Sequence, residues 1–213
     1  MRNTMRMGAV AAFVALALPA AASAQVCVGE PVGAGQSAIQ FGVGFPGNDL
    51  TGYTGSVRTN PGGPLSYEAG YTYTTFGEGI DQKMHTIAAQ AEYELPVQQL
   101  GMCPAAGLGW STMSDDPSNL SMWSVPIGLG VGHEIPVGSG FSLTPHIMPM
   151  FVWQRVSFEE PLLGETISGS DSAFGFLGGL TFGTEAVFVA ARATMTTFEG
   201  DDTSFSIEGG FLF

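Results

Sequence analysis

Basic residues are nearly missing from this chain: six Lys and Arg among 213 residues, against 19 Asp and Glu. Charged residues of both signs make up 12% of it, about half of the ~25% usual for a soluble domain. A nucleic-acid partner is excluded on this ground, because phosphate-backbone binding needs clustered Lys and Arg. Long apolar runs are scarce too. Beyond residue 24 no stretch approaches the ~20 consecutive apolar residues of a spanning helix, although 45% of residues are hydrophobic. A sustained 3.6-residue period is also missing, so the apolarity must be carried by alternation. Cysteine is limited to Cys27 and Cys103, and two thiols without a nearby His make a poor metal site. No cofactor is expected.

What is present starts at the N-terminus. Arg2 and Arg6 precede an apolar run from Met7 to Leu18, followed by Pro19 and the small residues Ala22-Ser23-Ala24. That order is a basic region, an apolar region too short to span a bilayer, and an A-x-A cleavage site. It predicts a signal peptide over 1–24 and an exported chain beginning at Gln25. The mature chain keeps four basic residues (Arg58, Lys83, Arg155 and Arg192) against 19 acids, a net charge of −15. In an oxidising compartment a Cys27–Cys103 disulfide is favoured over two isolated thiols.

Period-two alternation broken by turn residues divides the rest into ten strands. Their approximate spans are 37–45, 50–59, 64–76, 82–96, 101–113, 119–136, 140–158, 171–183, 185–197 and 202–213. The connections Pro46-Gly47-Asn48-Asp49, Asn60-Pro61-Gly62-Gly63, Asp115-Asp116-Pro117-Ser118-Asn119 and Val137-Gly138-Ser139-Gly140 carry strong turn chemistry. One face of each strand is apolar: Ile39, Phe41, Val43 and Phe45 in the first, Trp123, Val125, Ile127, Leu129 and Val131 in the sixth. The opposite faces hold small and charged residues, among them Arg58, Glu68, Glu92, Glu94, His146, Arg192 and Glu208. A membrane barrel needs this division, apolar toward lipid and polar toward the lumen. The expected fold is all-β: a closed antiparallel up-and-down transmembrane β-barrel of ten strands, with eight as the alternative.

Centring the last hairpin on Gly200 sets Met195 opposite Phe205 and Arg192 opposite Glu208, a lumen ion pair. Centring the third and fourth strands on Ile80 sets Tyr71 opposite Ala89 and Glu68 opposite Glu92, so a cation from another strand or a shared proton must separate those acids. With both chain ends on the inner side, the connections near 46–49, 77–81, 114–119, 159–170 and 198–202 face outward and carry most of the acids. Trp110, Trp123 and Trp153 then fall near outward strand ends as an interfacial girdle. Arg155 beside them is placed to snorkel or to meet a lipopolysaccharide phosphate.

From Ile39 to the terminal Phe213 the chain resembles the small bacterial outer-membrane β-barrel family of OmpA transmembrane-domain, OmpX and OmpW type. The likeness is carried by alternation over nearly the whole mature chain and by a last strand (Phe205, Ile207, Gly209, Phe211 and Phe213 on one face) that ends on an aromatic. It implies the outer membrane of a diderm bacterium, lipid and lipopolysaccharide contacts, and an assembly machinery that reads the Phe213 strand. It implies residues 25–36 as a periplasmic tail and 37–213 as the barrel; no peptidoglycan-binding domain is expected to follow, a departure from the two-domain members. Members range over structural, adhesive, pore-forming and enzymatic proteins. A non-enzymatic structural or surface-interaction role, with an unknown extracellular ligand, is expected. A narrow, weakly cation-preferring pore is the alternative, and a hydrolase using His85 with Asp81 or Asp115-Asp116 is a weaker one. Cys27 in the tail and Cys103 after the inner turn share one side of the membrane. Their bridge would stabilise by about 4 kcal/mol through loop closure and pin the tail beneath the lumen.

Overall fold

In a computed structural model of the chain, residues 27, 29, 32–47, 50–77, 82–97, 100–114, 120–160, 165–198 and 203–213 are described. The 1–24 signal segment therefore lies outside the described residues, as do most of the outer-connection acids. Eleven strands are present among the described residues: β1 (Ser37–Phe45), β2 (Thr51–Thr59), β3 (Leu65–Thr75), β4 (Lys83–Tyr93), β5 (Gly101–Ser114), β6 (Ser121–Gly132), β7 (Ile135–Gly138), β8 (Phe141–Glu160), β9 (Glu165–Gly183), β10 (Val187–Thr196) and β11 (Ser204–Leu212). Ten of them form a closed antiparallel ring, in which β6 pairs with β8 and β11 pairs with β1. Closure removes every sheet edge inside the ring. At the seam, Phe213 N–H donates to Ser37 O at 2.9 Å and Ser37 N–H donates back to Phe213 O at 2.8 Å.

The expected ten-stranded barrel is the one observed, with one addition. The predicted segment 119–136 divides after Gly132, and its remainder, β7, pairs only with the start of β8 outside the ring. The β7–β8 turn closes at Gly140, whose φ of 83° is open to glycine without strain. Prolines interrupt the ladders locally. Ala106 pairs with Ile127 and Gly109 with Ser124, but no pair forms between β5 and β6 at Pro126, which has no N–H to give.

Alternation predicts sidedness correctly. Phe41, Val57, Ile87, Leu108, Ile127, Leu180, Val189 and Ile207 are exposed on the outside, while Ala38, Gln40, Ser66, Glu92 and Thr181 are buried inside. Register is another matter. In the last hairpin Ala193, not Met195, faces Phe205, and Glu208 faces Ala190 rather than Arg192. In β3–β4, Tyr71 faces Ile87 and Glu68 faces Gln90. Both hairpins are shifted by two residues from the predicted centres. A two-residue slip leaves every side chain on its own face, so the hydrophobic pattern cannot detect it. The outer connection expected at 159–170 is also corrected. Phe158 pairs with Ile167, Glu159 with Thr166 and Glu160 with Glu165, so the hairpin is strand almost to its tip.

Candidate functional site: the lumen and its two mouths

The lumen of β1–β4 is filled by one hydrogen-bonded network. Arg58 on β2 and Glu92 on β4 are 1% and 2% exposed, and an Arg58 Nη2–Glu92 Oε2 ion pair joins them. Arg58 Nη2 also donates to Ser66 Oγ at 3.3 Å, and Arg58 Nη1 lies 3.7 Å from Glu68 Oε2. Gln40 Nε2 donates to Glu68 Oε1 (2.8 Å), and Gln90 Nε2 bridges Glu68 Oε2 and Glu92 Oε1 at 2.9 Å each. The cation required between Glu68 and Glu92 is thus Arg58, reached across three strands. Charges buried this deeply persist only when paired and hydrogen-bonded. Glu94, just past β4, is half-buried at the inner end, where its N–H donates to Pro64 O at 2.7 Å.

A second pair lies on the adjoining wall, between β10 and β11. Arg192 Nη1 lies 2.7 Å from Glu208 Oε2, with side-chain exposures of 14% and 12%. Since Arg192 faces Ser206 in the ladder, the contact is diagonal rather than directly cross-strand, and both side chains are long enough to span it. Ser206 Oγ donates to Glu208 Oε1 at 3.1 Å.

Described residues of the segment before β1 pack at the inner mouth. Cys27 is bonded to Cys103 on the lumen face of β5, with the Cα atoms 5.7 Å apart and neither residue exposed. The expected bridge is present. Gly29, at φ 82°, lies against the imidazole of buried His146 on β8, so closely that a Cβ would overlap the ring. Val32 is fully buried against Ala38, Phe188 and Leu212. Gly35 N–H then donates to Asn60 O, and Asn60 N–H to Gln36 O, leading into β1. Outward of this packing is a cavity of about 270 Å³ bounded by Thr54, Thr72, Thr86, Ser124, Met148 and Arg192, among others.

The outer rim carries the tryptophans. Trp110 faces Trp123 across β5–β6, with ring centroids 6.5 Å apart, and Trp123 faces Arg155 across β6–β8. Trp153 is exposed one position further in on the same face. Arg155 Nη2 donates to Ser168 Oγ at 3.5 Å. His85 is on the lipid face as well, its Nδ1 2.6 Å from Tyr71 Oη and its ring 5.4 Å from that of Tyr73. Asp81, Asp115 and Asp116, the suggested partners of a catalytic His85, lie outside the described residues. His133 and Glu134 are exposed at the inner end.

Beyond the rim β8 and β9 continue as a ribbon, which the predicted loop at 159–170 concealed. β6 ends its pairing with β8 at Ser157, and β10 ends its pairing with β9 at Gly175. Among the described residues, Glu165–Ala173 has a strand on one side only. Val156 and Ile167 are exposed there on one face, with Phe158 paired to Ile167.

No protein-family model and no curated protein sequence matches the chain. Solved structures do. The N-terminal β-barrel domain of Pseudomonas aeruginosa OprF is 11% identical over 84% of this chain and 98% of its own, with a TM-score of 0.37. Ail, the attachment invasion locus protein of Yersinia pestis, is 12% identical over the same shares, at 0.42. The β domain of the Bordetella autotransporter BrkA is 12% identical, again over 84% and 98%, at 0.49. The apolar exterior of the ring, its hydrogen-bonded polar lumen and its rim of tryptophans together make this chain a membrane-spanning β-barrel of the bacterial outer-membrane type.

Proposed function

We propose that this barrel is a non-enzymatic interaction protein of the cell surface, and that the β8–β9 ribbon is its contact element. The supporting observation is the edge from Glu165 to Ala173, open among the described residues, roughly 30 Å of backbone at ~3.3 Å per residue. Unpaired edges are usually blunted by Lys, Pro or a covering element. This one contains no Lys, Arg or Pro, and the exposed Val156 and Ile167 add apolar surface beside it. An extended segment of an extracellular partner can add a strand there, with alternate apolar side chains over Val156, Phe158 and Ile167. Cells displaying the barrel should adhere to partner surfaces, and replacing residues 157–168 by an Asn-Gly turn should abolish adhesion while leaving the barrel folded. Adhesion that survives the excision would sink the proposal.

Lipid and lipopolysaccharide surround the exterior in this reading, and the assembly machinery reads the last strand. Phe205, Ile207, Phe211 and Phe213 form its exposed lipid face. Phe213→Ser should lower the amount of folded barrel in the outer membrane several-fold, while purified protein refolds into detergent as before. Equal losses in the two settings would assign Phe213 to the seam alone.

A further inference from the structure

We infer that the ribbon's partner is a basic extended segment, which adds antiparallel to β9 with a Lys or Arg against Asp171 and bulky apolar residues against Ile167 and Gly169. The inference rests on the ribbon being the contact element and adds what that contact selects. It starts from a reversal of sidedness at the rim. Below the rim, Phe151, Trp153 and Phe174 are exposed toward lipid, while Val152 and Ala173 are buried on the lumen side. Above it, the same alternation carries Val156, Phe158 and Ile167 onto the lumen side and Arg155, Ser157 and Ser168 onto the other. Apolar residues gathered on one face beyond the membrane mark a surface to be covered.

The backbone fixes which groups an added strand meets. Thr197 N–H donates to Phe174 O at 2.9 Å, and Phe174 N–H donates to Thr197 Oγ1 at 3.1 Å, so both groups of Phe174 point to the β10 side. Successive residues of a strand alternate in this direction. Thr166, Ser168 and Ser170 therefore offer their N–H and C=O groups along the same edge, which no strand pairs among the described residues. Ile167, Gly169 and Asp171 fall between them, on the lumen side. A new antiparallel strand meets these three in non-hydrogen-bonded pairs, with Cα atoms about 4.5 Å apart and side chains in closest contact.

Each of the three positions selects. Ile167 is exposed and calls for an apolar neighbour. At Gly169 a Cβ would meet no atom within 4 Å. A large side chain opposite it thus has room to cross to the exposed Val156, its partner on β8. Asp171 is exposed too, and its Oδ1 accepts from Ser172 N–H at 2.7 Å. Ser172 belongs to the edge-facing set, so this hydrogen bond turns the carboxylate toward the edge. Arg155 is on the opposite face, where it donates to Ser168 Oγ. The charge offered beside the apolar strip is negative, and the acidity of the whole chain steers a basic partner toward it. Going outward from the cell, the partner's order is Lys or Arg, any residue, aromatic, any residue, aliphatic.

Fluorescence anisotropy on the detergent-refolded barrel tests this with two labelled peptides. One is Thr-Lys-Thr-Phe-Thr-Val-Thr, and the other has Glu in place of Lys. Wild type should bind the Lys peptide roughly five-fold tighter, through one exposed ion pair gained and one repulsion avoided, and added salt should shrink the preference. Asp171→Lys should reverse it. Ser168→Pro removes an edge-facing N–H and leaves the β8–β9 ladder intact, so it should abolish binding of both peptides, its fold checked by circular dichroism. Equal binding of the two peptides, or a preference that Asp171→Lys leaves unchanged, overturns the basic partner; the ribbon stands as contact element if Ser168→Pro still abolishes binding. Binding that survives Ser168→Pro overturns both. Tighter binding of the Glu peptide would assign an acidic partner instead. Silence of both peptides overturns the inference, and barrels that then dimerise until Ser168→Pro is introduced would assign a second copy of this chain.

Discussion

Arg58→Met should lower barrel stability by about 3–5 kcal/mol, the cost of leaving a buried partner charge without its counterion. Urea-induced unfolding from detergent or lipid, followed by circular dichroism, reads this as a fall in the midpoint. Glu92 is 2% exposed and depends on Arg58 for its counter-charge. Glu68 keeps Gln40, Ser56 and Gln90 as donors but loses its nearest cation. Arg192→Met should cost less, because that pair retains some solvent access on both sides. Adding Glu92→Leu to Arg58→Met should restore part of the loss, since an apolar pair of similar volume leaves no stranded charge. A double-mutant cycle gives the coupling directly. Equal midpoints for Arg58→Met and wild type would mean that water enters the inner lumen freely.

The second large effect separates lipid from water on a surface where exposure looks alike. Ile127 on β6 is 52% exposed and Ile167 on the ribbon is 60% exposed. Ile127 lies four residues inward of Trp123 on the same face, some 13 Å along the strand at ~3.3 Å per residue, which puts it near the middle of the apolar band. Ile127→Arg should therefore destabilise the barrel by about 2–4 kcal/mol, as a cation at mid-depth does. Ile167→Arg, beyond the rim, should change the midpoint by less than about 0.5 kcal/mol. Similar costs at the two positions would put the ribbon in the membrane and remove the basis for a surface contact.

The lumen was partly legible in the residue order. Arg58, Glu68, Glu92, His146, Arg192 and Glu208 all occupy lumen parity, because a charge on the other face would meet lipid. Which acid meets which base was not legible. Arg58 reaches Glu92 two strands away, and Arg192 reaches Glu208 on a diagonal. Both contacts depend on register, and a two-residue slip is silent in an alternating pattern. The ribbon was missed for a related reason. Ser168, Gly169 and Ser170 fell in the connection expected at 159–170, yet the chain stays paired there because β8 continues opposite it.

Alternation from Ile39 to Phe213, with turn residues at its breaks, suffices for a membrane barrel, with ten strands favoured over eight, and for the face each residue takes. Period two is a local property of the strand, and lipid permits no charge on one side of it. The two cysteines, expected in an oxidising compartment, likewise favoured the bridge that the structure contains. Closure of the ring decided the rest: the hairpin registers, the Arg58 network, the length of the ribbon and the position of the tail. Each of these is a contact between segments far apart in the chain. The glycines at 179, 183 and 210, against the His146 and Phe188 rings, show why no local pattern contains them. Their meaning is the volume they leave empty, and what fills it is settled only when the strands that carry them face one another across the lumen.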